Sequence, residues 1–440
     1  MTSISNQLDL AAAMGAATLV ANLEVLAMAT KARLPLPRVI EVINRSTGRS
    51  HVSAVELPSL IQGEAGHAFE FSRVLGCLER TLSQAAALRV PLPIMGYALS
   101  TLMAARNVQG TIGNSRDVAH AIAALAGASL SSASEQADAA EKAPTSGPAS
   151  NVGYIGLGVM GEALARQALQ VARAVYVHDV RPDSTAALVS QGARYASDLA
   201  AMARNCDIIF ICVPGSKEVR SVIFGAHGLA PGLTPGQVIV DQTTGSPAET
   251  RALAGELAMR GVSLVDAPIA GGPQGVAAGN FLSFCGGTPR AASMAQQMLQ
   301  SMGSQVVNFG DVGNGHAAKL VKNAMAICNR FVAYEGLSVA VGLGMSLDDL
   351  ARGLAGGWGD TAAIERLLLA KHTGTPSATI RLELLAKDQA LICALGRDVV
   401  APMGVANLIR AGVVRACREL GGNANIDDIG KMFGLRDFQQ

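Results

Sequence analysis

The stretch NVGYIGLGVMG, residues 151–161, decides the fold of this 440-residue chain. Val152, Tyr154 and Ile155 read as a buried strand. Gly156, Leu157, Gly158, Val159, Met160 and Gly161 read as the turn from that strand into a helix. Strand, G-x-G-x-x-G turn and helix in that order hold a dinucleotide pyrophosphate. The first glycine makes the tight turn, and the second lets phosphate approach the backbone. The third lets helix pack on strand, and the helix N-terminus faces the negative charge.

Outward from this motif, residues 151–311 alternate apolar strands with helices. VYVHDV (175–180), DIIFICVP (207–214), QVIVDQTT (237–244), VSLVDAP (262–268) and LSFCGG (282–287) are strand-like, with amphipathic stretches at 161–172 and 248–260 between them. This predicts a Rossmann-type α/β dinucleotide-binding domain with helices on both faces of a parallel sheet. Residues 312–440 read as all-helical, and so do residues 1–128. Between them, residues 129–150 are rich in Ser, Ala, Pro and Glu with almost no large apolar groups, the composition of a flexible linker. The fold class is therefore an α/β domain flanked by two all-α domains.

The N-terminal helical part looks like a degenerate copy of the C-terminal one. At a constant shift Glu24 falls on Glu335, Leu26 on Leu337, Ala29 on Ala340, Leu36 on Leu347 and Gly48 on Gly359. Met95-Gly96-Tyr97-Ala98 matches Met403-Gly404-Val405-Ala406 at a slightly smaller shift.

Composition narrows the function classes. Half of the residues are hydrophobic, 16% are charged and the net charge is +1, which leaves no electrostatic case for nucleic acid or an acidic membrane. Cys77, Cys206, Cys212, Cys285, Cys328, Cys393 and Cys417 are an odd set without C-x-x-C, as expected of buried thiols in a reducing compartment. No metal-ligand cluster is visible. The apolar run Leu10 to Met28 is interrupted by Asn22 and Glu24 and reads as a buried helix. A cytoplasmic protein is expected.

Chemistry concentrates at a few positions. Asp179 ends the second strand, where a carboxylate accepts hydrogen bonds from the adenosine ribose and repels a 2′-phosphate, so NAD is expected over NADP; nearby Arg181 softens that preference. Lys319 and Asn323 are four residues apart and share a helix face. Hydride transfer from an alcohol requires loss of the hydroxyl proton, and an amine in an apolar cleft beside a cationic ring would have a lowered pKa and serve as base. Asn323 can hold the substrate oxygen. Lys322, next door, reads as an ordinary solvated lysine. The loop at 266–275 carries Gly271, Gly272 and Gly275, whose backbone N–H groups can cradle a carboxylate. Trp358, the only tryptophan, reads either as a pocket wall or as a core aromatic.

Taken in order, these blocks resemble the β-hydroxyacid dehydrogenases, the group of 3-hydroxyisobutyrate dehydrogenase and tartronate semialdehyde reductase. GLGVMG at 156–161 is the first, and DAPIAGG at 266–272 is similar to the family's D-A-P-V-S-G-G substrate loop. GNGHAAKLVKN at 313–323 is similar to its catalytic G-x-G-x-x-x-K-x-x-x-N, and Lys387-Asp388 to its cofactor-contacting pair. Asp241 to Pro247 resembles its D-x-S-T-x-x-P loop, and Val213-Pro214 its L-P turn on the adenosine side. The resemblance implies Lys319 as general acid/base, Asn323 beside it, and Ala270, Gly271 and Gly272 on the substrate. It implies Val213, Pro214, Thr244 and Lys387 on the cofactor. Ala270 departs from the family, which has serine there, and this removes one donor to the substrate acid. The resemblance further implies an oligomer whose helical domains pack on one another.

The N-terminal copy has Leu8 where the C-terminal one has Lys319 and Ala12 where it has Asn323, so it reads as a packing domain without chemistry, a packing partner for the helical domain in cis or within a dimer. The expected activity is NAD-dependent hydride transfer on a small 3-hydroxy acid. The competing readings are a polyhydroxy-acid (threonate-like) dehydrogenase and a non-catalytic NAD-binding sensor or scaffold.

Overall fold

The computed structural model describes residues 3–130 and 150–435. The expected linker at 129–150 lies almost wholly outside them. Among the described residues, 150–319 form one compact unit, and 3–130 together with 320–435 form a second.

The first unit is built on nine strands: β1 (Asn151–Ile155), β2 (Ala174–His178), β3 (Arg194–Tyr195), β4 (Ile208–Ile211), β5 (Val238–Asp241), β6 (Ser263–Asp266), β7 (Ile269–Ala270), β8 (Phe281–Cys285) and β9 (Ser304–Asn308). Six form a parallel sheet in the order β3-β2-β1-β4-β5-β6. The order reverses beside β1, which places the glycine turn at the switch point where such sheets bind ligands. The strands read as continuous apolar runs because both faces are covered. Val152, Tyr154, Ile208, Phe210, Val238 and Val240 enter the core on one face. The alternate residues Ile155, Ile209, Ile211 and Ile239 enter a second core on the other.

One strand does not join this sheet as the sequence suggested. β8 pairs antiparallel with β7 and parallel with β9 in a separate three-stranded sheet. The β5–β6 ladder ends with the Ala267 N–H on the Asp241 carbonyl, and from there the chain turns to β8, the Phe284 N–H bonding the Pro268 carbonyl. β3, β7 and β9 escaped the sequence reading because two are dipeptides and the third, Ser-Gln-Val-Val-Asn, carries polar residues.

The second unit repeats element by element. Helix Ser3–Lys31 corresponds to Asn314–Gly342, Leu36–Asn44 to Leu347–Leu354, Phe71–Leu88 to Leu382–Asp398, and Pro93–Gln109 to Gly404–Leu420. Backbone details recur at the same constant offset. Arg33 and Gly344 have φ of 56° and 67°, and Arg89 and Val400 have φ of 58° and 55°. Asn114 and Asn425 each cap a helix with a reciprocal capping box. The smaller shift suggested by Met95 and Met403 is therefore corrected. Met403 corresponds to Leu92, each immediately preceding its helix with φ/ψ of −127°/64° and −124°/63°. Helix ends fix the equivalence; a four-residue likeness between Ala-rich helices does not.

Helix Ser3–Lys31 contains a segment, Ser5–Lys31, long and apolar enough to cross a membrane by length and composition, but its apolar surface is covered by protein. Inside that surface Asn22 donates to Asn329 Oδ1 at 2.8 Å, and Glu24 accepts from the N–H of Val405 at 2.9 Å.

Candidate active site

The glycine turn has the shape its sequence requires. Gly156 sits at φ +88°, and a Cβ there would run into the Cys212 carbonyl and the Val213 side chain. A Cβ on Gly161 would collide with the Gly156 carbonyl. Around Gly158, by contrast, a Cβ would meet nothing within 4 Å. The outer glycines are thus demanded by packing, and the middle one leaves open space. The following helix begins at Val159, so the free N–H groups of its first turn face that space. This is a cradle that fits a dinucleotide phosphate.

Asp179 lies at the end of β2 and is almost fully buried. Its Oδ2 accepts from the Leu157 N–H at 2.7 Å and its Oδ1 from the Arg181 N–H at 2.9 Å. The carboxylate therefore also fixes the glycine turn from inside, a role the sequence reading did not assign. The Arg181 side chain is 71% exposed, with Nε 3.5 Å from Asp179. Val213 follows β4, and its N–H reaches Thr243 Oγ1 at 3.3 Å; Pro214 beside it is exposed, and Thr244 is half-buried.

The loop after β6 brings two functions together. Gly271 and Gly272 have φ of +136° and +67°, conformations that favour glycine. A Cβ on Gly272 would meet nothing within 4 Å, so this backbone is open to a ligand. Ala270 is on β7, opposite Leu282. At the start of the same loop, Asp266 is completely buried. It accepts from the N–H groups of Gly313 and His316, each at 2.6 Å. Those N–H groups open the helix Asn314–Gly342, so the carboxylate caps the helix that carries Lys319. Burial pushes the Asp266 carboxyl above its ordinary range; the nearby His316 and the two N–H groups pull the other way. His316 adds a second anchor. Its Nδ1 lies 2.8 Å from Thr250 Oγ1 and its Nε2 2.7 Å from the Thr243 carbonyl.

Lys319 is 8% exposed. Its Nζ donates to the Ile269 carbonyl at 2.5 Å, next to Ala270, and stands 5.6 Å from the Phe284 ring centroid. The amine thus meets the proposed substrate loop inside the nucleotide unit.

In the helical unit, Asn323 Nδ2 donates to Asp388 Oδ2 at 3.0 Å, and Lys387 Nζ lies 3.4 Å from Asp388 Oδ1. Lys322 overturns its expectation as a solvated lysine. It is 7% exposed, with Nζ 2.9 Å from Thr47 Oγ1 and a longer 3.5 Å from Asn323 Oδ1. Thr47 comes from the N-terminal segment, and no local signal marks that pairing. Trp358 packs on the N-terminal segment. Its Nε1 donates to Glu56 Oε1 at 2.8 Å and its ring stands edge-on to Phe69, both in the N-terminal segment.

Comparison with known proteins agrees with this layout. A family model described as the NAD binding domain of 6-phosphogluconate dehydrogenase matches residues 151–310. A second, described as NAD-binding of NADP-dependent 3-hydroxyisobutyrate dehydrogenase, matches residues 10–125 and also 313–433. The chain is 30% identical over 253 residues to 2-(hydroxymethyl)glutarate dehydrogenase of Eubacterium barkeri, covering 57% of this chain and 84% of that one. It is 28% identical over 256 residues to 3-sulfolactaldehyde reductase of Escherichia coli, covering 57% and 85%. The crystal structure of a 3-hydroxyisobutyrate dehydrogenase from Salmonella typhimurium superposes with a TM-score of 0.56 at 24% identity, over 64% of this chain and 99% of that one.

Proposed function

Because the chain belongs to the β-hydroxyacid dehydrogenase family and is an NAD(P)-dependent oxidoreductase of CH–OH groups, we propose that it oxidises a small 3-hydroxy acid, or reduces the matching aldehyde acid, with Lys319 as general acid/base. The observation that carries this reading is the buried Lys319 amine on the Ile269 carbonyl, at the edge of the Ala270-Gly271-Gly272 loop. The bound nicotinamide supplies the hydride acceptor or donor.

The chain's residues divide the remaining work. Gly156 to Gly161 and the helix N-terminus behind them hold the pyrophosphate. Asp179 receives the adenosine ribose, which favours NAD; its contacts to Leu157 and Arg181 keep the carboxylate in place at the strand end. Val213, Pro214, Thr244 and Lys387 complete the cofactor contacts. Backbone N–H groups of Gly271 and Gly272 take the substrate carboxylate in the absence of the serine hydroxyl that Ala270 lacks. Lys319 takes the proton from the hydroxyl during oxidation and returns it to the oxygen during reduction. Asn323, one turn further along the same helix, orients the substrate oxygen through its amide.

The relatives named above include a dehydrogenase of 2-(hydroxymethyl)glutarate and a reductase of 3-sulfolactaldehyde, so a dicarboxylate and a sulfonate both belong in the test. Purified protein is offered 3-hydroxyisobutyrate, 2-(hydroxymethyl)glutarate and threonate with NAD or NADP, and 3-sulfolactaldehyde with the reduced cofactors, and reduced cofactor is followed by absorbance. Turnover of a 3-hydroxy acid, faster with NAD, is the expected result. Tight NAD binding without turnover of any acid would favour the sensor reading instead.

A further inference from the structure

The two segments of the helical unit exchange equivalent contacts, and one of these contacts falls beside Asn323. Ser50 bridges antiparallel to Thr361, its own counterpart in the repeat, flanked by hydrogen bonds from His51 N to Asp360 O at 2.8 Å and from Ala362 N to Arg49 O at 2.9 Å. A residue paired with its own counterpart marks a local two-fold axis. The exchange recurs away from the axis. Glu335 accepts from the N–H groups of Ile94 and Met95 at 2.7 and 3.0 Å, while Glu24 caps the equivalent helix at Val405. Each segment covers the other as subunits of a symmetric dimer do.

The loops beside the axis follow the same rule. Trp358 and Gly359 pack on Gly15 and the Ala11 carbonyl of helix Ser3–Lys31. Their counterparts Thr47 and Gly48 pack on helix Asn314–Gly342. A Cβ on Gly48 would lie 3.4 Å from the Lys322 carbonyl, the Gly48 carbonyl accepts from Asn329 Nδ2 at 3.1 Å, and the Thr47 hydroxyl accepts from Lys322 Nζ. The chemistry breaks the symmetry. Trp358 meets a helix with Leu8 and Ala12 at the decisive positions, whereas Thr47 meets the helix that carries Lys319 and Asn323.

We propose that Thr47 is a positioning residue of the dehydrogenase reaction, supplied within the chain by the N-terminal segment, which steadies Lys322 against Asn323 Oδ1 and so fixes the orientation of the Asn323 amide. An amide has two orientations related by a half-turn. Lys322 on Oδ1 and Asp388 on Nδ2 select the same one, leaving the second Nδ2 hydrogen for a substrate oxygen. A buried ammonium needs acceptors, and the Thr47 hydroxyl is one of them. The duplicated segment thereby does for the catalytic segment, within one chain, what a second subunit would do.

This inference rests on the dehydrogenase reading, and the two fail differently. Steady-state kinetics and thermal melts are compared for the full-length wild type, Thr47→Val, Thr47→Ser and Trp358→Phe. Thr47→Val is expected to lower kcat by roughly tenfold, the worth of one hydrogen bond to a charged group, with KM for the cofactor and the melting temperature little changed. Thr47→Ser keeps the hydroxyl and should restore most of kcat. Trp358→Phe, at the symmetric position, should leave kcat at the wild-type value. Wild-type kcat in Thr47→Val, or a loss that Thr47→Ser does not restore, overturns the inference alone. A wild type that turns over no hydroxy acid overturns the reading beneath it and the inference with it.

Discussion

Asp179 shows how one side chain can serve loop and ligand together. Its carboxylate holds the Leu157 N–H of the glycine turn and, in the function proposed above, receives the adenosine ribose. Asp179→Asn keeps an acceptor for the Leu157 N–H, gives up the one for the Arg181 N–H, and no longer repels a 2′-phosphate. The ratio of kcat/KM for NAD to that for NADP should fall about tenfold or more, on the scale of one charge-assisted contact. An unchanged ratio would remove Asp179 from cofactor choice. Lys322 illustrates the opposite lesson. From the sequence it was a surface lysine, because its partner Thr47 is 275 residues away. Lys319 was legible as chemistry because its spacing from Asn323 puts amine and amide on one helix face and the block 313–323 resembles the family's catalytic motif. Its contact with the Ile269 carbonyl was not legible, since that needs the loop and the helix start placed side by side.

At the scale of the element, the first turn of the helix Asn314–Gly342 is held from several sides. A buried aspartate accepts two N–H groups there, and His316 ties the same turn to Thr243 and Thr250. The sequence put Asp266 in a substrate loop, and only the fold shows it to be a helix cap as well. Asp266→Asn would direct an amide N–H at a backbone N–H, leaving a buried donor unsatisfied. Urea unfolding should show a loss of about 1–3 kcal/mol, with a fall in kcat as the helix start shifts. Wild-type stability in Asp266→Asn would mean that the cap contributes little. Strands β1, β2, β4, β5 and β6 were readable because each is a buried apolar run. The small second sheet was not, because tertiary pairing with β8, not propensity, makes Ile269–Ala270 a strand.

Across the whole molecule, the helical unit repeats at one offset, and its two segments meet through buried acids at helix starts. Burial raises the Glu335 carboxyl to about 8, while the N–H groups of Ile94 and Met95 pull it down without offsetting that effect. A carboxyl with a raised folded pKa holds its proton longer in the folded than in the unfolded chain. Its contribution to stability is full below about pH 4.5, its ordinary value, and is lost as pH rises toward about 8. Melting temperature should therefore fall across that window, and Glu335→Gln, which cannot titrate, should flatten the fall. An equal slope in wild type and Glu335→Gln would assign the pH dependence to other groups. The most direct measurement on the molecule as an enzyme compares kcat/KM for NAD-linked oxidation of a 3-hydroxy acid by wild type and Lys319→Met, with NAD affinity measured alongside. A drop of about a thousandfold, within the usual range for a general acid/base, with NAD affinity unchanged, is the predicted result. Activity within about tenfold of wild type would show that the proton travels by another route and that Lys319 is not the base.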